Sequence, residues 1–117
     1  MLLLAPQLRI MIAILPIDFR FGVDRIASVC RQTLNQNPFD GTLFVFKNRS
    51  NTAIRLLCYD GGGYWIATKR FSKGKLKWWP SSTGEPLTQL AAKQLQIMLY
   101  NGLPDQAQMD EDWRKLF

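Results

Sequence analysis

Residues 39–80 read F-D-G-T-L-F-V-F-K-N-R-S-N-T-A-I-R-L-L-C-Y-D-G-G-G-Y-W-I-A-T-K-R-F-S-K-G-K-L-K-W-W-P, and this stretch decides the fold. Apolar and β-branched runs alternate in it with turn-forming clusters such as D-G-G-G and S-K-G. Strands separated at such short intervals by Gly, Asn and Ser are typical of an antiparallel meander. The pattern predicts four strands: Thr42–Lys47, Ala53–Tyr59, Tyr64–Phe71 and Lys75–Trp79.

Outside this meander, the sequence predicts one more strand and two helices. The apolar run Leu8–Leu15 fits a strand that Pro16 ends. Apolar residues at helical spacing predict a helix over Val23–Leu34, and Thr88 is placed to cap a second helix that reaches Tyr100. Together these elements predict an α+β fold, an antiparallel β-meander of four to five strands with two helices packed on one face.

Length and charge indicate one basic domain. A chain of 117 residues with 47% hydrophobic residues can bury a core of its own. The net charge of +6 is uneven, since residues 1–104 carry 13 basic and 5 acidic groups and residues 105–117 carry 2 basic and 4 acidic groups. We therefore predict a single domain over residues 1–104 and an acidic C-terminal tail over 105–117. A basic body favours nucleic acid or another acidic surface, and a merely solvated charged face is the plainer alternative.

The cysteines and the N-terminal residues indicate the compartment. Cys30 and Cys58 lie in apolar runs and form no C-x-x-C pair, which favours reduced thiols over a disulfide between them. Pro6 and Arg9 interrupt the first apolar residues, and no basic start of a secretory signal precedes them. The apolar run 10–17 is far shorter than the roughly 20 residues that a membrane span needs. We expect a cytoplasmic protein that does not enter a membrane.

The residue types present argue against most enzyme chemistries. The chain has no His, which removes His general bases, Ser-His-Asp triads and His-containing metal sites. It has no Cys cluster suited to zinc and no phosphate-binding G-x-x-x-x-G-K-[ST] motif. Asp24, Asp40 and Asp60 fit helix-start or turn roles, and a nuclease that depends on Asp18 or Asp60 is a remote alternative. We expect no catalytic residue, no metal and no cofactor.

The positive signal is a sheet that combines Lys and Arg with aromatic rings. Residues 41–79 hold eight basic residues against one acid, Asp60. One arrangement that fits strand alternation buries four residues under the helices, Leu56, Cys58, Leu76 and Trp78, and exposes five others, Arg55, Tyr59, Lys75, Lys77 and Trp79. Exposed rings can stack on bases while cations neutralise phosphates; alternatively, the rings are core and the lysines protect a sheet edge. The candidate DNA-contacting residues are Lys47, Arg49, Arg55, Lys69, Arg70, Lys73, Lys75 and Lys77, with Tyr59 and Trp79 as stacking groups.

Four elements of the sequence resemble those of a known family, in the same order. P-I-D-F-R-F-G-V-D-R-I (16–26) resembles P-T-D-M-R-K-G-x-D-G-L, and P-F-D-G-T-L-F-V-F-K-N-R (38–49) resembles P-x-x-G-x-x-F-V-F-R-N-R-R. L-L-C-Y-D-G-G-G-Y-W-I-A-T-K-R-F-S-K-G-K-L-K-W (56–78) is similar to K-L-L-x-W-D-G-x-G-F-x-L-x-Y-K-R-L-E-x-G-x-F-x-W-P. T-Q-L-A-A-K-Q-L-Q-I-M-L-Y-N-G (88–102) resembles L-T-x-x-Q-L-x-x-L-L-x-G. These motifs are those of the small TnpB accessory proteins, products of the second open reading frame, of the insertion-sequence sixty-six (IS-sixty-six) transposon family.

The resemblance covers about residues 9–102 and implies a role in DNA transposition. It implies two protein partners, a separate transposase and a second small accessory protein of the same element. The family is not known to cut or join DNA itself. The resemblance adds Arg20, which lies in the first of the four elements, to the candidate DNA-contacting residues. We expect a non-catalytic accessory factor that contacts DNA, or a DNA-bound transposase, through its basic sheet. The alternative is a protein-interaction module that docks an acidic partner without touching DNA.

Overall fold

A five-stranded sheet organises the chain in the computed structural model, which describes residues 8–81 and 84–102. The elements in chain order are β1 (Ile10–Ala13), α1 (Val23–Gln32), β2 (Leu43–Lys47), β3 (Ala53–Tyr59), β4 (Tyr64–Arg70), β5 (Leu87–Leu90) and α2 (Ala92–Leu99). The strands lie side by side in the order β4-β3-β2-β1-β5. The predicted α+β class is therefore confirmed.

The strand directions follow from the connections between the strands. β2, β3 and β4 form the predicted antiparallel meander, whereas β1 pairs in parallel with β2 and antiparallel with β5. Parallel neighbours need a crossover, and α1 lies in the connection between β1 and β2. The turn from β3 to β4 uses the D-G-G-G cluster, with Gly61 at a φ of +92°, a conformation that residues with side chains rarely adopt.

The two helices cover opposite faces of the sheet, so the prediction that both pack on one face is wrong. On one face, Ile26 of α1 packs with Phe44 and Leu57. On the other, Leu95 of α2 packs with Val45. The cause lies in β2, whose run L-F-V-F is buried at all four positions, because a strand that is apolar on both faces needs cover on both. We refer to the two sides as the α1 face and the α2 face.

The predicted fourth strand of the meander does not form. Residues 75–79 instead run against the α2 face, where Leu76 and Trp79 pack on the core. The Leu76 N–H donates to the carbonyl oxygen of Asn51 at 2.7 Å, and Trp79 Nε1 donates to the carbonyl oxygen of Ala13 at 2.9 Å. The alternating pattern of this segment therefore buries apolar side chains without a strand ladder.

Residues 87–90 form the fifth strand, so the prediction that Thr88 caps a helix is wrong. Thr88 lies opposite Ile12 in the ladder between β5 and β1. α2 begins only after Ala91, whose N–H donates to Oε1 of Gln94 at 2.9 Å. The edge of β1 offers backbone partners to this segment, and buried backbone groups require such partners.

The remaining predictions about the chain concern its thiols and its ends. Both cysteines are free, as predicted. Burial raises the pKa of the Cys30 thiol to about 12 and also raises the pKa of the partly buried Cys58. No helix within residues 8–81 and 84–102 is long and apolar enough to cross a membrane. The predicted acidic tail, residues 105–117, lies outside the described residues.

Candidate nucleic-acid interface

Four arginines from four parts of the chain line one open groove on the α1 face. The groove has a volume of about 610 Å³, and residues 17–20 and the turn at 48–50 form parts of its wall. Two of the arginines lie in these segments. The other two lie on β3 and β4, where the β3 arginine is opposite Thr68, two residues before the β4 arginine. The four, all of them candidates from the sequence, are Arg20, Arg49, Arg55 and Arg70. We call this feature the arginine groove.

Arg55 is the fixed member of the arginine groove. Its Nη1 donates to the carbonyl oxygens of Phe19 at 2.8 Å and Phe21 at 3.3 Å, and its Nε donates to Oγ1 of Thr68 at 2.9 Å. The guanidinium carbon lies 4.5 Å from the centroid of the Phe19 ring. Partial burial lowers the pKa of Arg55, yet a guanidinium stays charged in proteins. The sequence predicted an exposed Arg55, but the structure uses it to hold residues 19–21 against the sheet.

Arg20 lies at the rim of the groove and is paired with Asp18. Its Nη2 donates to Oδ2 of Asp18 at 2.7 Å, and its backbone N–H donates to Oδ1 of the same carboxylate at 2.9 Å. The hydrogen bonds from Arg20 are the main cause that lowers the pKa of Asp18 to about 2, and the charge of Arg49 contributes. The Arg20 side chain is 91% exposed. Its guanidinium therefore faces water while one of its edges is held by the carboxylate, a pairing signalled in the sequence by the spacing D-x-R.

Arg49 and Arg70 are exposed, as Arg20 is, so Arg55 is the one partly buried arginine of the four. Among the described residues that line the groove, Asp18 is the one acid, so four guanidinium groups face a single carboxylate there. Guanidinium groups present several donors in a planar fork that matches phosphate oxygens. The arginine groove can therefore hold an anionic group between side chains that come from different elements.

A second, smaller groove of about 290 Å³ lies at the end of β4. Lys69, Arg70 and Lys73 line it together with the C-terminal end of α2. The Nζ of Lys69 lies 4.8 Å from the centroid of the Tyr100 ring, within the range of a cation–π contact. Arg70 lines both grooves, so the two basic sites meet at this residue.

The other predicted cations lie apart from the arginine groove. Lys47 points to the α2 face, where its Nζ donates to Oδ1 of Asn51 at 2.6 Å and lies 5.9 Å from the Trp79 ring centroid. Lys75 and Lys77 are exposed on the segment after β4, which Asn101 holds by accepting from the Lys77 N–H at 2.9 Å and donating to the Lys75 carbonyl oxygen at 3.0 Å. The basic side chains therefore divide between two faces.

The rings proposed for stacking are engaged inside the protein. Tyr59 packs edge-on against Phe39 and Tyr64, with ring centroids 5.0 and 5.1 Å apart. Trp79 packs on the α2-face core and is hydrogen-bonded through its indole nitrogen. The prediction that both rings are exposed is wrong, because both are partly buried. Three rings that were not predicted as stacking groups are exposed instead: Phe39 at 52%, Trp65 at 47% and Tyr100 at 46%.

The carboxylates of the described residues do not assemble into a metal site. No group of three or more Asp, Glu, Cys or His occurs among residues 8–81 and 84–102 in a geometry that holds a metal ion. Asp60 accepts from the N–H groups of Gly62 and Gly63 at 2.9 and 3.1 Å, and from Trp65 Nε1 at 2.6 Å. These bonds place Asp60 in the turn role that the sequence predicted.

Comparisons with known proteins agree with the motifs. The profile of the family described as IS66 Orf2 like protein matches residues 8–109. The uncharacterized protein y4hO of Sinorhizobium fredii (strain NBRC 101917 / NGR234) is 34% identical over 108 residues, which cover 92% of this chain and 90% of that protein. The uncharacterized protein y4jC of the same strain is 34% identical over 77 residues, 66% of each chain. No solved structure matches. With a profile match that runs from β1 past the end of α2, the chain belongs to the IS66 Orf2-like family.

Proposed function

We propose that this protein is a non-catalytic accessory factor for DNA transposition and that it contacts DNA through the arginine groove. Membership of the IS66 Orf2-like family supports a transposition-associated accessory role. The observation that carries DNA contact is the convergence of four arginines on one groove, which Asp18 alone lines as an acid among residues 8–81 and 84–102. Phosphate contacts of this kind are independent of sequence, so we expect the protein to bind DNA of any sequence weakly.

The two grooves together suggest a path for the sugar-phosphate backbone. Arg49 and Arg70 are exposed and can reach a phosphate, whereas Arg55 is held by backbone carbonyls and keeps the groove in shape. Because Arg70 also lines the groove with Lys69 and Lys73, successive phosphates can contact both sites around the end of β4. We therefore narrow the candidate DNA-contacting residues to five that line the two grooves, Arg20, Arg49, Lys69, Arg70 and Lys73, and assign Arg55 to the shape of the arginine groove.

The proposal includes the partners that the family implies. The transposase and the second small accessory protein of the same element are the expected protein partners, and the cytoplasm is the expected compartment. The exposed lysines Lys75 and Lys77, which lie outside both grooves, remain candidates for such a protein contact. In this arrangement the protein stabilises a transposase–DNA complex and leaves the cutting and joining of DNA to the transposase.

A salt titration tests the DNA contact. The logarithm of the affinity for duplex DNA should fall linearly with the logarithm of the salt concentration, with a slope of about −0.9 per phosphate contact. Arg49→Gln and Arg70→Gln should each weaken binding and make the slope shallower by about 0.9. Arg31→Gln is the matched control, because it removes the same charge from an exposed position on α1 that lines neither groove.

The Arg31→Gln control shows whether DNA binding depends on the arginine groove or only on the total positive charge of the protein. If Arg31→Gln weakens binding as much as Arg49→Gln and Arg70→Gln do, the arginine groove is not the DNA site. Failure to bind DNA even at low salt, together with capture of the transposase on beads, would favour the protein-docking alternative over the proposal.

A further inference from the structure

The strand β4 forms one edge of the sheet and has the composition of a pairing surface. Six of its seven residues are exposed, among them Trp65 at 47% and Ile66 at 40%. Within the described part of the chain, β4 pairs only with β3. It contains no Pro and no acid, and its two charges, Lys69 and Arg70, stand together at one end. An exposed edge of this length with an uncharged centre is able to accept another strand.

The hairpin geometry determines which backbone groups of β4 point outward. The Asp60 N–H donates to the Gly63 carbonyl oxygen at 3.1 Å, and the Phe71 N–H donates to the Thr52 carbonyl oxygen at 2.9 Å. In an antiparallel pair, hydrogen-bonded and non-hydrogen-bonded positions alternate, so the odd-numbered residues of β4 bond to β3. The N–H and C=O groups that point away from β3 therefore belong to four residues, Tyr64, Ile66, Thr68 and Arg70.

We propose that β4 pairs with β4 of a second copy of this chain, antiparallel and centred on Ala67. A two-fold axis at Ala67 joins the two five-stranded sheets into one continuous sheet. In this register, Ile66 lies opposite Thr68 of the second copy, and Tyr64 lies opposite Arg70 of the second copy. These are the positions with outward backbone groups, so all four can form new ladder bonds on each strand.

Charge and ring positions favour a second copy as the partner. The strand carries aromatic rings at one end and cations at the other, so antiparallel self-pairing places each cation beside a ring of the partner. Lys69 then lies opposite Trp65 of the second copy, and cation–π contacts stabilise such pairs. Pairing centred on Ile66 or on Thr68 would also use the outward groups, but neither register sets both cations against both rings.

The opposite edge of the sheet offers less to a partner strand. β5 has four residues, of which Leu87 and Leu90 are buried, whereas β4 offers seven residues in extended conformation. Self-pairing through β4 would also bring together two arginine grooves, because Arg70 lies in the interface strand and lines the groove. One dimer would thereby present both grooves to one DNA molecule.

The first test is the mass of the full-length protein in solution. Sedimentation velocity over a range of concentrations should show a species of twice 13.5 kDa. Ile66→Pro should shift the protein to the monomer, because Pro removes an N–H that points away from β3, and edge strands tolerate Pro at such positions. Ile66→Thr is the matched control and should remain a dimer. A monomer at all concentrations, or an unchanged dimer in folded Ile66→Pro, would overturn the proposal.

Engineered cysteines test the register. Ala67 would face its own counterpart at a non-hydrogen-bonded position, with Cα atoms about 4.5 Å apart, a distance that a disulfide spans. Ala67→Cys should therefore form a covalent dimer under mild oxidation. Ile66→Cys should not, because the two copies of residue 66 would be offset by two positions, beyond the roughly 7 Å that a disulfide allows. The unsubstituted chain supplies the background, since Cys30 is buried and Cys58 is partly buried. Cross-linking at residue 66 but not at residue 67 would contradict the register.

Discussion

The guanidinium of Arg55 donates a hydrogen bond to the Phe19 carbonyl oxygen at 2.8 Å and lies 4.5 Å from the centroid of the Phe19 ring. One side chain therefore joins β3 to the segment that precedes α1. Because Arg20 lies in that segment, the same contact fixes the shape of the arginine groove.

Replacing Arg55 should destabilise the fold as well as weaken DNA binding. Arg55→Ala would leave two backbone carbonyls without their donor and remove a packed side chain, and we expect a loss of about 2 kcal/mol in the free energy of unfolding. Urea denaturation followed by tryptophan fluorescence measures this loss. Arg49→Ala, an exposed residue of the same groove, should change the stability by less than about 0.5 kcal/mol. Equal stability of the two variants would show that Arg55 does not anchor residues 19–21.

Asp18 should titrate in strongly acidic solution, and Arg20 should be the reason. Its pKa of about 2 lies below the usual 3.8, so the folded protein holds the carboxylate charged more firmly than the unfolded chain does. The stabilisation is complete above pH 3.8 and is lost as the pH falls through about 2. NMR titration of the Asp18 carboxyl carbon should show its pKa rising towards 3.8 in Arg20→Gln.

The control for this titration is Arg31→Gln, which lies on α1 outside the groove. The variant should leave the pKa of Asp18 where it is. A pKa of Asp18 that is the same in Arg20→Gln and the unsubstituted protein would show that the pair does not persist in solution.

Removing residues 105–117 should strengthen DNA binding. The segment carries four acids and two basic residues, so its deletion raises the net charge from +6 to +8. Because long-range attraction to phosphate grows with positive charge, the truncated protein should bind duplex DNA severalfold more tightly at low salt, and the difference should shrink as salt screens it. Fluorescence anisotropy with a labelled duplex measures both effects.

A full-length variant separates charge from length in that experiment. The triple variant Asp110→Asn, Glu111→Gln and Asp112→Asn keeps the chain length of 117 residues but removes three negative charges. If this variant binds DNA no more tightly than the unsubstituted chain, the acidic residues of the segment do not oppose DNA binding.

Local patterns predicted the central part of the fold well. α1 begins at Val23 as predicted and ends at Gln32, two residues before the predicted end at Leu34. The helix could be predicted because the spacing of its own apolar residues indicates it. β2, β3 and β4 lie within one residue of their predicted bounds, since turn residues separate them. Such signals need no information about distant parts of the chain.

The errors lie where distant segments decide the outcome. Residues 75–79 alternate like a strand, but they reach Asn51 and Ala13 through single bonds instead of a ladder. Residues 87–90 resemble a helix start, but the edge of β1 accepts them as a strand. The four consecutive apolar residues of β2 already indicated that the helices lie on opposite faces. A strand that is apolar on both faces needs a layer packed on each of them.

For the candidate site, too, the predictions were right where local patterns decide and wrong where distant segments decide. The sequence predicted all four arginines of the groove, and the structure brings them together. It did not foresee that Lys47 and Trp79 would lie on the other face, because their positions depend on the segment after β4. Nor did it foresee the exposed edge of β4, since the predicted fourth strand would have covered that edge.

The placement of β1 in the sheet has a consequence for biosynthesis. Ile10 pairs with Leu43 on one side and with Leu90 on the other, so β1 has partners on both edges only after β5, about 75 residues further along the described chain, has been translated. Until β5 has been translated, one edge of β1 has no partner strand, and an unpaired edge can pair with the wrong segment or with another chain. Ribosome pausing or premature termination before residue 87 should therefore yield chains that cellular quality control removes.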